Sequence, residues 1–126
     1  MTTKNDTGFA TFVADAAMAQ YRRVKMSSTT DRAVTYADAG EKAIGVTDTV
    51  ALATGDAVSV KLFNAPGTFK VTAKTSMATR NGAVYGADDG YVDDAVSGGQ
   101  IGYNLDTASG VGAIIEMVAI AAMAAD

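Results

Sequence analysis

The chain has 126 residues, of which 48% are hydrophobic and 19% charged, and its net charge is −4. This length fits one domain, and the acidic balance provides no overall positive field for nucleic acid or an anionic membrane. Cysteine, histidine and tryptophan are absent, which excludes disulfides, cysteine or histidine catalysis, and metal sites built from these residues.

The first segments of the chain differ in character from the rest. Residues 1–8 are small and polar and predict a flexible arm that orders only against a partner. Residues 9–20 are rich in alanine and fit either a short helix or an extended segment, and the alternation of Phe9, Thr11 and Val13 favours the extended form. No signal-peptide core and no run of about eighteen apolar residues is visible, so we expect a soluble protein made inside the cell.

Beyond residue 20, short apolar runs recur about every ten residues between clusters of Gly, Asp, Asn and Thr, which is typical of an all-β sandwich or barrel. Pro66 and Gly67 fit a type II turn and predict a hairpin between strands around residues 60 and 71. The Asp89-Gly90 pair predicts a second hairpin over residues 85–91. The predicted strands centre on Val24, Val34, Ile44, Val60, Val71, Val84, Val92, Tyr103 and Ile115.

Two stretches of the chain, 57 residues apart (101 − 44), resemble one another. The matched pairs are glycines and apolar residues in register: Ile44/Ile101, Gly45/Gly102, Ala51/Ala108, Gly55/Gly112, Val58/Ile115 and Val60/Met117. Glycines and core residues mark scaffold positions. The sequence therefore predicts a mainly β protein, a small antiparallel barrel or sandwich with an internally duplicated β-unit, an extended N-terminal arm and at most one short helix.

The predicted organisation is a flexible arm over residues 1–8, a single β-rich domain over 9–120 and a C-terminal tail over 121–126. Within the domain, the repeat units span about residues 18–62 and 77–119. Neither repeat carries a reactive group, so we expect function to lie in the arm and the tail.

The one basic cluster consists of Arg22, Arg23 and Lys25. On a strand, Arg23 and Lys25 share one face. The interpretation favoured over a nucleic-acid contact is a solvated strand face, or one that forms salt bridges with a partner.

The acidic residues also indicate neither a metal site nor a catalytic site. The group Asp88, Asp89, Asp93 and Asp94 lacks the ligand spacing of a calcium loop and is interpreted as a solvated turn. Asp56 and Glu116 are not equivalent in the repeat, which disfavours a catalytic pair. No phosphate-binding loop is present. We therefore predict no catalytic residues, no metal and no cofactor.

The pattern of glycines and strands resembles the capsid decoration, or cement, proteins of tailed bacteriophages, in particular a group of unknown function sometimes mislabelled as a phage-associated recombinase. The resemblance covers approximately residues 15–118. It rests on residues 43–47, 53–60, 82–85, 89–92, 100–102 and 114–116.

The resemblance implies a non-enzymatic virion structural protein that binds the outer surface of an assembled phage head and bridges major capsid subunits. It further implies self-association, as a homotrimer or a dimer, with no nucleic acid, membrane or small-molecule partner, and synthesis in the host cytoplasm. The alternative is a self-assembling tail or baseplate subunit. The predicted partner-contact residues are Thr2, Thr3, Lys4, Asn5, Phe9, Phe12, Arg22 and Arg23.

Overall fold

The computed structural model describes residues 7–120, which contain ten β-strands and one 3₁₀ turn. Residues 1–6 of the predicted arm and the whole predicted tail lie outside the described residues. The strands are β1 (Phe9–Ala14), β2 (Arg23–Met26), β3 (Ala33–Tyr36), β4 (Gly45–Thr47), β5 (Ala57–Leu62), β6 (Phe69–Thr72), β7 (Ala83–Gly86), β8 (Val92–Asp93), β9 (Gly102–Asn104) and β10 (Ile114–Ala119). The 3₁₀ turn is Asp88–Gly90.

Strands β1 to β5 form a closed barrel in the order β1-β3-β2-β4-β5, called here the N-terminal barrel. Strand β1 closes it, because β1 pairs antiparallel with β5 and parallel with β3. Alternate strand positions face inward. The resulting core consists of Phe12, Ala14, Met18, Val24, Val34, Ala51, Val58 and Val60.

Strands β6 to β10 form a second five-stranded sheet in the order β6-β10-β9-β7-β8, called here the C-terminal sheet. A single parallel bridge between Ala73 and Val92 links its two edges, so the sheet curls towards a second barrel. Its core includes Phe69, Val71, Met77, Val84, Val92, Ile115 and Met117. Val46 of the N-terminal barrel also packs in this second core, so the two units share apolar contacts.

The two units have the same strand pairing, with β6 to β10 in the places of β1 to β5. In β4·β5 Val46 lies opposite Lys61, and in β9·β10 Tyr103 lies opposite Val118 at the equivalent position. The same correspondence holds for the isolated bridges Met18↔Ala51 and Met77↔Ala108. The mainly β class, with a small barrel and a duplicated β-unit, is thus confirmed.

Of the two predicted hairpins, the second is confirmed and the first is wrong. Strands β7 and β8 pair antiparallel across the 3₁₀ turn. Gly67 has the positive φ of 91° that the turn prediction requires, yet β5 pairs with β1 and β4 whereas β6 pairs with β10. The turn at Pro66-Gly67 therefore connects the two units, because turn chemistry reverses the chain without choosing the partners of the flanking strands.

Candidate functional site

Arg23, in β2, is buried between the two units with only 1% of its surface exposed. Its Nη2 donates to the carbonyl oxygens of Ala37 (3.1 Å) and Asp38 (3.3 Å) in the N-terminal barrel. Nη2 also donates to Ala87 O (2.8 Å) and Nε to Tyr91 O (3.1 Å), both in the turn that joins β7 and β8 of the C-terminal sheet. One guanidinium therefore bonds to backbone on both sides of the interface.

The prediction that Arg23 and Lys25 share a solvated strand face is wrong for Arg23. The C-terminal sheet covers the Arg23 end of β2, whereas Lys25 stays near solvent and pairs with Glu41 at 2.6 Å. Burial lowers the pKa of Arg23 to about 10, and nearby carboxylates, Asp38 foremost, oppose the shift. Arg23 therefore remains charged at neutral pH.

Arg22, which is half-buried, also contacts the turn between β7 and β8. Its guanidinium carbon lies 3.8 Å from the centre of the Tyr91 ring, a cation–π geometry. Its Nη1 donates to Asp89 O and its Nη2 to the Tyr91 hydroxyl, both at 2.8 Å. Arg22 thus adds a second cationic contact between the units.

Two turns at this interface bind each other reciprocally. Asp38 Oδ1 accepts a hydrogen bond from Asp89 N, and Asp88 Oδ1 accepts one from Ala39 N, each at 3.0 Å. Gly90 N adds a bond to Ala37 O at 2.8 Å. Two of the four clustered aspartates, predicted to form a solvated turn, therefore help to join the two units.

A cavity of about 220 Å³ has a lining from both units, which includes Phe9, Tyr21, Val46, Lys61, Phe69 and Lys70. Lys61 Nζ donates to Thr68 O at 2.5 Å and lies 4.5 Å from the centre of the Phe69 ring. Lys70 Nζ lies 5.7 Å from the centre of the Tyr21 ring. Both ammonium groups thus contact the protein's own aromatic rings at the junction of the units.

The predicted partner-contact residues lie in different parts of the structure. Phe9 is 40% exposed and lies at the surface. Phe12 is 6% exposed and Arg23 1% exposed, so the structure places both in the interior instead of at a contact surface. Phe12 packs in the barrel core, and Arg22 is committed to Tyr91. Thr2, Thr3, Lys4 and Asn5 lie outside the described residues.

Within residues 7–120, no cluster of three or more acidic side chains is placed to hold a metal ion. Asp56 Oδ2 accepts hydrogen bonds from Leu52 N and Ala53 N, both at 3.1 Å, which stabilises a turn. Glu116 accepts a hydrogen bond from the Thr68 hydroxyl across the sheet. A search of the same residues finds no helix with the length and hydropathy to cross a membrane.

An apolar surface on the C-terminal sheet was not predicted from the sequence. Tyr103 on β9 pairs with Ala83 on one side and Val118 on the other. Tyr103 is 42% exposed and Val118 41%, and Leu105 and Ile114 on the same side are exposed to a similar degree. We call these five residues the open face. A groove of about 380 Å³ adjoins it, lined in part by Ala83 and Asn104.

The sequence does carry a signal for the open face. Strand β10 has apolar residues on both sides, Ile115 and Met117 in the core and Ile114 and Val118 outside. A strand that covers one core normally alternates with polar residues. Glu116 is the one polar residue between Ile114 and Val118 on the outer side, so this side of β10 is largely apolar and is also suited to a contact.

The fold and the site define a mainly β protein of two repeated five-stranded units, whose distinctive surface is an apolar sheet face. No protein-family model matches the chain, and a search of curated proteins also finds no match.

The solved structures to which the chain is similar include the crystal structure of the N base of head fiber gp8.5 in bacteriophage phi29. The TM-score is 0.74 at 18% sequence identity, and the similarity covers 89% of this chain and 92% of that one. The two chains therefore share a fold over nearly their whole lengths.

Proposed function

We propose that the protein is a non-enzymatic virion structural protein that binds the outer surface of an assembled phage head and bridges major capsid subunits. The observation that carries the proposal is the similarity to the phi29 head-fiber base over 89% of the chain. The glycine and strand pattern of the sequence independently resembles phage decoration proteins. The protein is made in the host cytoplasm and adds to the head as a homotrimer or a dimer.

The structured surface fits an adhesive role. The open face and the side chain of Val96, which is 78% exposed, offer apolar area away from the core. Exposed apolar patches of this kind mark interaction surfaces. Many copies with weak individual contacts hold a shell through their combined effect.

The test uses purified heads that lack the protein. Heads are mixed with the full chain and pelleted, and the bound copies are counted by quantitative mass spectrometry. We expect saturable binding at a fixed ratio to the major capsid protein, with the added protein on the outer surface in cryo-electron microscopy. Absence of binding to heads would overturn the proposal.

A variant lacking residues 1–6 tests the predicted arm. The truncation stops before Gly8, because Gly8 O accepts a hydrogen bond from Leu62 N and a Cβ atom added at Gly8 would lie only 2.3 Å from Ala65 Cβ. We expect this variant to fold normally and to show lower occupancy on heads. A variant in which residues 1–6 are all serine keeps the length and tests whether the side chains matter. Unchanged occupancy of both variants would remove the arm from the proposal.

The second candidate is a self-assembling tail or baseplate subunit, which the exposed apolar residues of the open face favour. Such a subunit forms rings or tubes without heads. Light scattering of the purified chain distinguishes the two functions, since a head-binding protein remains a small discrete oligomer and a tube protein polymerises.

A further inference from the structure

The internal repeat allows each surface of one unit to be matched with a surface of the other. In the N-terminal barrel, Arg23, Val46 and Lys61 lie side by side across β2, β4 and β5. The strand registers place Ala83, Tyr103 and Val118 at the equivalent positions on β7, β9 and β10. The two rows are therefore the same face of the repeated unit.

These equivalent faces have opposite environments. The row of Arg23, Val46 and Lys61 is the one with which the N-terminal barrel contacts the C-terminal sheet, and Val46 is only 3% exposed there. In the open face, Tyr103 takes the place of Val46 and is 42% exposed. Alanine and valine stand where the covered row has arginine and lysine. The exposed face is thus more apolar than the covered one.

The surface of the C-terminal sheet that packs against Arg23, Val46 and Lys61 also has an equivalent surface in the N-terminal barrel. On the C-terminal sheet it consists of the outer side of β6 and the turn after β7, where Thr72 donates to Tyr21 O and is 5% exposed. The registers β1·β5 and β6·β10 make Val13 the equivalent of Thr72 and Thr11 that of Lys70. Val13 is 41% exposed and Thr11 is exposed. We call Thr11, Val13 and the turn over residues 27–32 the β1 face.

We propose that the chain associates head to tail with further copies of itself, the open face of one copy packing on the β1 face of the next. The contact between copies thereby repeats the contact between the two units within each copy. The two faces differ, so the interface is heterologous; a closed ring would agree with the discrete oligomer of the proposed function, and an open chain with its second candidate. This inference goes beyond head binding, because it rests on the repeat and not on any capsid contact.

Two single variants test the inference in the full chain without heads. Tyr103→Glu places a charge in the open face and Val13→Glu places one in the β1 face. We expect sedimentation velocity to show an oligomer for the native chain. For each variant we expect the association constant to fall by at least about tenfold. Leu52→Glu, at an 82% exposed apolar residue outside both faces, is the matched control and should assemble like the native chain.

Mixing the two variants gives the sharper result. Each retains one intact face, so the open face of Val13→Glu can bind the β1 face of Tyr103→Glu, and growth stops there. We expect a dimer in the mixture from variants that are monomeric alone. Circular dichroism and thermal unfolding verify that both variants are folded, and Tyr103→Ser and Val13→Ser replace them if they are not.

Several results would overturn the inference. These are a monomeric native chain at millimolar concentration, variants that assemble like the native chain, and a mixture that stays monomeric. Failure of head binding would leave these outcomes untouched, because the measurement contains no capsid protein. Conversely, a native chain that is monomeric but binds heads would refute this interface and the proposed self-association, and would leave head binding standing.

Discussion

Gly45 and Gly102 show why glycines recur at the same place in both units. A Cβ atom on Gly45 would lie 2.3 Å from Lys61 O, and one on Gly102 would lie 2.3 Å from Val118 O. Lys61 and Val118 are themselves equivalent in the two registers. The short distance is to backbone, which cannot rotate away, so the close approach of neighbouring strands requires glycine at both positions.

Substitution of either glycine tests this requirement. Gly45→Ala and Gly102→Ala should each lower the free energy of unfolding by about 2–3 kcal/mol, because the added methyl group forces the strands apart. Gly110→Ala is the matched control, since no atom lies within 4 Å of its Cβ position. Urea unfolding measures all three. Equal stabilities for Gly45→Ala and Gly110→Ala would contradict the steric argument.

Asp93 gives a prediction about pH. Burial raises the pKa of this carboxyl in the folded protein, against hydrogen bonding from Ala95 N. The folded state therefore holds the proton more tightly than the unfolded chain, and the contribution of Asp93 to stability falls as pH rises through the carboxylate range. Asp93→Asn should be more stable than the native chain at about pH 7 and equal to it at about pH 3. Urea titrations at the two pH values check this, and a destabilised variant at the higher pH would refute it.

At the scale of elements, the sequence predicted where strands lie better than what they pair with. The predicted centres fall within β2, β3, β5 to β10, and Ile44 lies one residue before β4. Alanine-rich residues 9–20 satisfy both the helical and the strand period; the extended form, which the alternation of Phe9, Thr11 and Val13 favours, is the one that residues 9–14 adopt in β1. The error at Pro66-Gly67 arose from pairing, which depends on segments up to 52 residues away, as at Phe9↔Lys61.

Unequal pairing predicts unequal protection of the strands of the C-terminal sheet. Strand β10 is hydrogen-bonded to β6 and β9, whereas β8 has two residues and lies at the edge. We expect amide protons of β10 to show the slowest hydrogen exchange in this sheet and those of β8 among the fastest, since short edge elements open locally at lower cost. Exchange followed by nuclear magnetic resonance measures this, and faster exchange in β10 than in β8 would contradict it.

At the scale of the whole molecule, the duplication could be predicted and the junction could not. Glycines and apolar residues in register identified the repeat directly from the sequence. The burial of Arg23 could not be predicted, because an arginine on a strand normally faces solvent. It is buried here because residues 86–91 of the other unit cover it. The open face could not be predicted for the same reason. The two equivalent faces have similar positions in the repeat, and only the packing of the units decides which of them is covered.

The junction supplies the prediction at this scale. Arg23→Met keeps much of the buried volume and removes the donors to four carbonyl oxygens. We expect a loss of about 2–4 kcal/mol in the free energy of unfolding, because buried acceptors lose a charged partner. Lys25→Met, on the same strand with an exposed ion pair, should cost less than about 1 kcal/mol. Thermal and urea unfolding compare them, and equal losses would show that the buried contacts are not the stronger.

The closure of the N-terminal barrel by β1 has a consequence for synthesis of the chain. The partners of β1 in β5 lie 44 to 52 residues further along the chain, from Val13↔Ala57 to Phe9↔Lys61. Contacts of such long range form slowly, and a chain growing from the ribosome cannot make them until residue 61 has emerged. The parallel pairing of β1 with β3 can form once residue 34 has emerged, whereas the antiparallel edge of β1 stays open until β5 is complete, so closure of the barrel is its last step.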